Sequence, residues 1–169
     1  MSHARIVSLV VACSLAVTAI ALAAASQPIT PAGVGSIHIG DSYLKLRKAG
    51  KIGKVVPGCE LAGPNARGAK LLPPLKGSAD LSFHSPRRIT DIQITGGATA
   101  KGVGIGDTTA DIKAAYPKAN VDHTTEATFA FTLVTVRGGG DNRSLIAFAV
   151  DTKTKKITLI GIPYIATCD

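Results

Sequence analysis

Few side chains of this sequence have both the type and the spacing that catalysis or metal binding requires. After residue 25 the histidines are His38, His84 and His123, and no two of them stand at the spacing of zinc ligands. Asp122 beside His123 provides two members of a Ser-His-Asp triad, but no nucleophile elbow accompanies them. We therefore predict a non-enzymatic protein with no catalytic residue, metal or cofactor. A small secreted hydrolase that uses His84 or His123 is the alternative.

A glycine-rich run precedes a helical pattern, an arrangement that often binds phosphate. The glycines are Gly102, Gly104 and Gly106, and helix N-termini attract anions. Their spacing is not that of the dinucleotide fingerprint, and no Gly-Lys-Ser/Thr follows. The carboxylates of Asp107 and Asp111 would also repel a phosphate. We predict a tight turn against a sheet rather than a nucleotide site.

Positive charge is the strongest sign of an interaction. The chain has 19 basic and 11 acidic residues, a net charge of +8, and residues 26–99 hold ten of the basic and four of the acidic ones. This field predicts an acidic protein or an anionic envelope polymer as partner, and a merely solvated face is the alternative. The interleaved aromatics of a single-strand binder are missing, so we predict no nucleic acid. The predicted contact residues are Lys45, Arg47, Lys48, Lys51, Lys54, Arg87 and Arg88.

The N-terminus has the pattern of a secretory signal peptide. Arg5 supplies the positive charge, an apolar stretch follows, and small residues place the cleavage between Ala25 and Ser26. An uncleaved membrane anchor is one alternative, and lipidation of Cys13 is another. We predict a secreted or envelope protein, bacterial in composition, with no membrane span after cleavage.

Two cysteines remain in the exported part of the chain, Cys59 and Cys168. An even number of cysteines in an exported protein favours a disulfide bond. We predict a Cys59–Cys168 bridge, with two free thiols as the alternative.

The elements that would position these residues are clearest after the glycine run. Thr108 is a good N-cap, and Asp111 follows three residues later, as in a capping box. Ile112 and Tyr116 share one helical face, and Pro117 ends the pattern. The sequence therefore predicts a short, well-capped helix here.

The same pattern occurs 66 residues earlier, where Ile39-Gly40-Asp41-Ser42 aligns with Ile105-Gly106-Asp107-Thr108. This copy predicts a first helix over 42–49, in which Lys45 replaces the capping acid. A second match, at an offset of 68, aligns residues 89–92 with residues 157–160. Two matches in the same order predict a duplicated unit.

Strand patterns follow each helix and complete the predicted domain organisation. Phe129, Phe131 and Leu133 alternate along one face of the clearest strand. We predict an extended or disordered segment at 26–36, a first repeat at 37–99 and a second at 100–169. The predicted strands are 79–85, 88–95, 126–137, 144–150 and 156–162, with a hairpin loop at 138–142.

Two Ile-Gly-Asp-Thr/Ser turns, each followed by a short helix and a β-meander, resemble the family of the secreted β-lactamase inhibitory protein. The single unit also resembles outer-membrane assembly lipoproteins of the SmpA/OmlA type. The resemblance covers most of residues 35–165 and implies an α+β fold whose strands form one curved antiparallel sheet with short helices on one face. The chain departs from the inhibitors because it has no Trp and only four Phe and three Tyr.

These patterns predict an exported, non-enzymatic binding or envelope-associated protein with a basic face. A protein inhibitor of a secreted enzyme and a purely structural surface protein are further alternatives. The sequence predicts no oligomeric state.

Overall fold

The computed structural model describes residues 26–138 and 144–167. The predicted signal peptide with Ala25 and Cys13, residues 139–142 of the predicted hairpin loop, and Cys168 lie outside the described residues. The helices are α1 (Tyr43–Lys48), α2 (Thr109–Ala115) and α3 (Glu126–Phe129), with a 3-10 turn at Glu60–Ala62. The strands are β1 (Gln27–Thr30), β2 (Gly33–Val34), β3 (Ile37–His38), β4 (Ile52–Pro57), β5 (Arg67–Leu71), β6 (Lys76–Leu81), β7 (Ile89–Gly96), β8 (Ala98–Ala100), β9 (Val103–Gly104), β10 (Asn120–Asp122), β11 (Phe131–Arg137), β12 (Ser144–Asp151) and β13 (Ile157–Ile162).

The larger sheet has eight antiparallel strands in the order β10-β11-β12-β13-β7-β6-β5-β4. The first half of the chain supplies four consecutive strands, β4 to β7, and the second half supplies β10 to β13. The two groups meet where β13 pairs with β7, with Ile160 opposite Ile94. The fold is therefore mostly β, and the α+β prediction agrees with it only at this coarse level.

The smaller sheet corrects one prediction and decides between two alternatives in another. It has five strands in the order β3-β2-β1-β8-β9, and β1 runs parallel to β8. The prediction of one antiparallel sheet is therefore incomplete, because it lacks this second, mixed sheet. The segment at 26–36 is extended but not disordered, because Ile29 is buried and β1 pairs with β2 and β8. These strands are two to four residues long, too short for a periodic signal.

The hydrophobic core lies on one face of the larger sheet. Ile92, Ile94 and Ile160 are fully buried there, and the core also contains Leu46 of α1 and Ile112 of α2. Fully burying an Ile or Leu side chain contributes about 1.5–3 kcal/mol. Since successive strand residues point to opposite faces, the side chains between these isoleucines lie on the other face of the sheet.

The predicted strand at 126–137 is wrong in its first part. Residues 126–129 form α3, and the strand begins only at Phe131. Ala130 has a left-handed backbone conformation with φ 56°, and its N–H donates to the carbonyl of Glu126. The Thr125 hydroxyl also donates to the carbonyl of Phe131. These local hydrogen bonds outweigh the β-propensity of the Thr- and Phe-rich segment.

The two Ile-Gly-Asp segments make the same hydrogen bonds. Asp41 Oδ2 accepts from the backbone N–H of His38 at 2.8 Å, and Asp107 Oδ2 accepts from that of Gly104 at 2.7 Å. The intervening glycines, Gly40 and Gly106, have φ of 87° and 94°, a region that L side chains rarely adopt.

Each turn is also hydrogen-bonded to the start of a long strand. Gly40 N–H donates to the carbonyl of Ile89 at 2.8 Å, and Gly106 N–H donates to that of Ile157 at 2.9 Å. The two glycines are 66 residues apart and their two strand partners are 68 residues apart, which are the offsets of the two sequence matches.

Candidate functional site

Two surfaces have the composition of a binding site. The first is the basic surface, defined by the seven predicted residues Lys45, Arg47, Lys48, Lys51, Lys54, Arg87 and Arg88. Three of them lie on α1, two at or just before β4, and two just before β7. All are exposed except Arg87, which is half-buried.

Backbone pairing brings the two parts of the basic surface together. Ser42 forms a β-bridge with Arg88, and the N–H of Tyr43 donates to the carbonyl of Arg87 at 3.0 Å. The Arg88 guanidinium then reaches back to the carbonyl of Gly40 at 2.8 Å. Residues more than 40 positions apart in sequence therefore share one surface around the start of α1.

The charge of the basic surface is not neutralised by ion pairs within the described residues. The ion pairs found there are His38–Asp41 and His123–Glu126, and neither includes a Lys or Arg. Arg87 and Arg88 donate to backbone carbonyls, which leaves their charge uncompensated.

The second surface is a cavity of about 460 Å³ on the face of the larger sheet away from the core. We call it the carboxyl pocket. The sheet, the segment between β4 and β5, the β6–β7 hairpin and the segment after β13 enclose it. Its walls are mostly apolar. The lining residues are Cys59, Leu61, Ala62, Ala66, Arg67, Asp80, Leu81, Phe83, Thr90, Asp91, Tyr164 and Ala166.

Two aspartates face each other in this pocket. Asp80 of β6 and Asp91 of β7 are direct partners in the antiparallel register. Asp91 is only 2% exposed and accepts hydrogen bonds from Thr90 Oγ1 at 3.1 Å, Gln93 Nε2 at 3.3 Å and Tyr164 Oη at 3.3 Å. All three donors are neutral, so they solvate the carboxylate without balancing its charge.

The environment of Asp80 favours its protonated form. Burial, followed by the charge of Asp91 and a hydrogen bond to Asp91, raises the pKa of Asp80 from 3.8 to about 6. Two neighbouring carboxyl groups cannot both ionise easily, because each charge opposes the other. Asp80 therefore loses its proton only near pH 6.

The chain after β13 is held against the sheet beside the two carboxyl groups. Gln93 Nε2 donates to the carbonyl of Tyr164 at 3.1 Å, and Ser144 Oγ donates to that of Pro163 at 2.7 Å. A Cβ on Gly161 would come within 2.1 Å of the Tyr164 carbonyl oxygen, so only glycine permits this close approach. Cys59 lines the same pocket, and the bridge to Cys168 stays a prediction because Cys168 lies outside the described residues.

The glycine run near α2 is a turn, as predicted. The Asp107 carboxylate already accepts from the N–H of Gly104, so the position that a phosphate would take is occupied. The histidines are exposed: His38 lies beside Asp41, and His123 contacts Glu126. Among the described residues no group of three or more His, Cys, Asp or Glu side chains is placed to hold a metal ion.

Sequence reasoning missed the pairing of Asp80, Asp91 and Tyr164. The available signal was an aspartate inside each of two strand patterns, since strands are depleted in Asp. What the pattern could not supply was the register that sets one aspartate opposite the other.

No protein-family model, curated protein or solved structure matches this chain. Its resemblance to the inhibitory protein and to the assembly lipoproteins therefore stays a prediction. In the described part of the chain no helix is long and apolar enough to span a membrane.

Proposed function

We propose that this is an exported, non-enzymatic binding protein whose basic surface holds an anionic polymer of the cell envelope. The observation that supports the proposal is that the three basic residues of α1 lie beside Arg87 and Arg88, with no ion pair to any of them within the described residues. Clustered charges of one sign attract an oppositely charged partner through their summed field.

A polymer fits this surface better than a folded acidic protein does. Tight protein interfaces rely on buried aromatic and Arg anchors, whereas four of the seven residues here are exposed lysines. Leu44 and Val56, which are 69% and 50% exposed, are large apolar side chains within two residues of these lysines in sequence. Flexible lysines match a chain of repeated negative charges, because no single geometry has to be met.

We also propose that the chain is a tandem duplication of one α+β unit with its helices on one face. The shared turns at Gly40 and Gly106 and the four consecutive strands from each half support this. At an offset of 66, Asp111 and Ala114 stand where Lys45 and Lys48 stand in the first unit. Anion binding would then be a property of the first unit alone.

The test is binding of the exported chain to immobilised poly(glycerol phosphate), with neutral dextran as the reference, over a range of salt concentrations. Lys45→Gln, Lys48→Gln and Lys51→Gln together are expected to weaken binding about tenfold or more, since each cation contributes to an ionic affinity. The matched control combines Lys118→Gln, Lys153→Gln and Lys156→Gln, which removes the same charge from exposed positions elsewhere.

Binding by the wild type that falls steeply with salt, and that the control triple variant retains, is the expected result. Equal losses in both triple variants would show that only net charge matters and would contradict the proposal. If the wild type does not bind the polymer at low salt, the proposal is contradicted and a structural role is the remaining alternative. Retention of an acidic protein at high salt, in place of the polymer, would indicate a packed protein interface instead.

A further inference from the structure

The carboxyl pocket is a second site, independent of the basic surface. Ala79 and Ile92 point into the core, so their neighbours Asp80 and Asp91 lie on the opposite face of the sheet. The cavity of about 460 Å³ is within the range of roughly 300–1,000 Å³ found for small-molecule sites.

The two carboxyl groups of the pocket have no ion-pair partner among the described residues. Asp91 is buried, yet neither it nor Asp80 forms an ion pair within the described residues. Arg67 lines the pocket, but its Nη1 donates to the carbonyls of Pro64 at 2.8 Å and Ala66 at 2.7 Å. Arg67 keeps its positive charge, but it forms no ion pair with either carboxyl group, and negative charge held away from water without a paired cation is costly.

A buried amide next to the carboxyl pair lacks one hydrogen-bond partner. Gln93 is 9% exposed, and its Nε2 is committed to Asp91 Oδ1 and to the carbonyl of Tyr164. Its Oε1 is buried and accepts no hydrogen bond within the described residues. A carbonyl oxygen without a donor therefore lies beside a carboxyl pair that has no ion-pair partner among the described residues.

The walls of the pocket are suited to an apolar body. Leu61, Phe83 and Tyr164 are 75%, 50% and 48% exposed, which is unusual for large apolar side chains that have no partner. Two aromatic rings and a leucine therefore line the rim above the two carboxyl groups.

We propose that the carboxyl pocket binds a small organic cation, a primary ammonium carried on an aromatic or branched apolar body. The ammonium group has three donors and one positive charge for Asp80 and Asp91. The apolar body lies between Leu61, Phe83 and Tyr164. The same charge arrangement disfavours a carboxylate ligand, which Asp91 would repel.

The experiment titrates the full exported chain with phenethylammonium, 2-phenylethanol and 3-phenylpropanoate, followed by calorimetry and by protein NMR shifts at pH 7.5. The ammonium is expected to bind about tenfold or more tightly than the alcohol, because only it meets the charge of the carboxyl pair. The carboxylate is expected not to bind.

Variants separate the two halves of the site. Asp80→Asn is expected to reduce the affinity for the ammonium about tenfold, and Phe83→Ala is expected to reduce the affinity for both the ammonium and the alcohol. Asp122→Asn, which changes a partly exposed carboxylate outside the pocket, is the control and is expected to leave the affinity for the ammonium unchanged. Phe83 is half exposed, so its variant keeps the test valid even if a carboxyl variant fails to fold.

Equal affinity for the alcohol and the ammonium would overturn the proposal, since the pocket would then be apolar only. Unchanged binding of the ammonium to Asp80→Asn, or no binding by the wild type, would also overturn it. The Lys45, Lys48 and Lys51 triple variant should bind phenethylammonium normally, so failure of the polymer proposal is distinguishable from failure of this one.

Discussion

Thr108 and Asp111 cap the start of α2 by bonding to each other in both directions. Asp111 Oδ2 accepts from the backbone N–H of Thr108 at 2.8 Å, and Thr108 Oγ1 accepts from the backbone N–H of Asp111 at 3.4 Å. At the start of α1 the aligned residue Ser42 makes no side-chain hydrogen bond to the helix, and Lys45 replaces the acid. The two helix starts therefore share a sequence pattern but differ in how they are stabilised.

Removal of the two cap hydroxyls should have unequal effects. Thr108→Ala is expected to lower the free energy of unfolding by about 1 kcal/mol, because a first-turn N–H loses its acceptor. Ser42→Ala, the matched control, is expected to change it by less than about 0.5 kcal/mol. Urea unfolding at pH 7 measures both values, and equal losses would contradict this account of the caps.

Asp80→Asn should stabilise the protein at neutral pH and not at acidic pH. The pKa of Asp80 is raised to about 6 in the folded state. Above that pH the folded protein therefore carries a negative charge on Asp80 beside Asp91, and this charge lowers its stability. Below the unfolded value of about 4 the group is protonated in both states, and this cost disappears. The wild type therefore gains stability from Asp80 as the pH falls from 7 to 4.

The expected gain for Asp80→Asn is about 1 kcal/mol at pH 7.5 after allowance for solvent screening, shrinking towards zero near pH 4. Urea midpoints at a series of pH values measure it. Asp122→Asn is the control, and it should change the stability in the opposite direction, because hydrogen bonds from Thr124 lower the pKa of Asp122. That variant should be less stable than the wild type at neutral pH, and the difference should shrink on acidification. A pH-independent effect of Asp80→Asn would show that folding does not raise the pKa of Asp80.

The predicted Cys59–Cys168 bridge can be tested by alkylation. Mass spectrometry should detect no alkylated thiol in the exported chain without reductant, and two after reduction. A bridge across so long a loop stabilises a fold by about 4–5 kcal/mol in the entropy model, and often by less. Cys168→Ser should therefore lower the unfolding free energy by several kcal/mol. Two alkylated thiols without reductant would disprove the bridge.

Short-range patterns accounted for much of the fold. Thr108, Asp111 and Pro117 bracket α2 because caps and prolines act within one or two turns of a helix. The strands β7, β12 and β13 and most of β11 also followed from alternation and turn residues. The strand predicted at 79–85 is largely misplaced, because β6 is Lys76–Leu81 and only residues 79–81 are shared. The strand prediction failed for the segment before Phe131. Hydrogen bonds made by Thr125 and Glu126 hold that segment in a helical turn, although its residue types favour a strand.

By itself the sequence determined the cap of α2, the turns at Gly40 and Gly106, most of the main strands and the concentration of positive charge before residue 100. These features depend on residues close together in the chain. Only the tertiary structure decided that Arg88 joins the lysines of α1 and that Asp80 faces Asp91 beneath Tyr164. Strand register and the path of the chain after Gly161 set those contacts, and a shift of one residue in register would have turned either carboxyl group into the core.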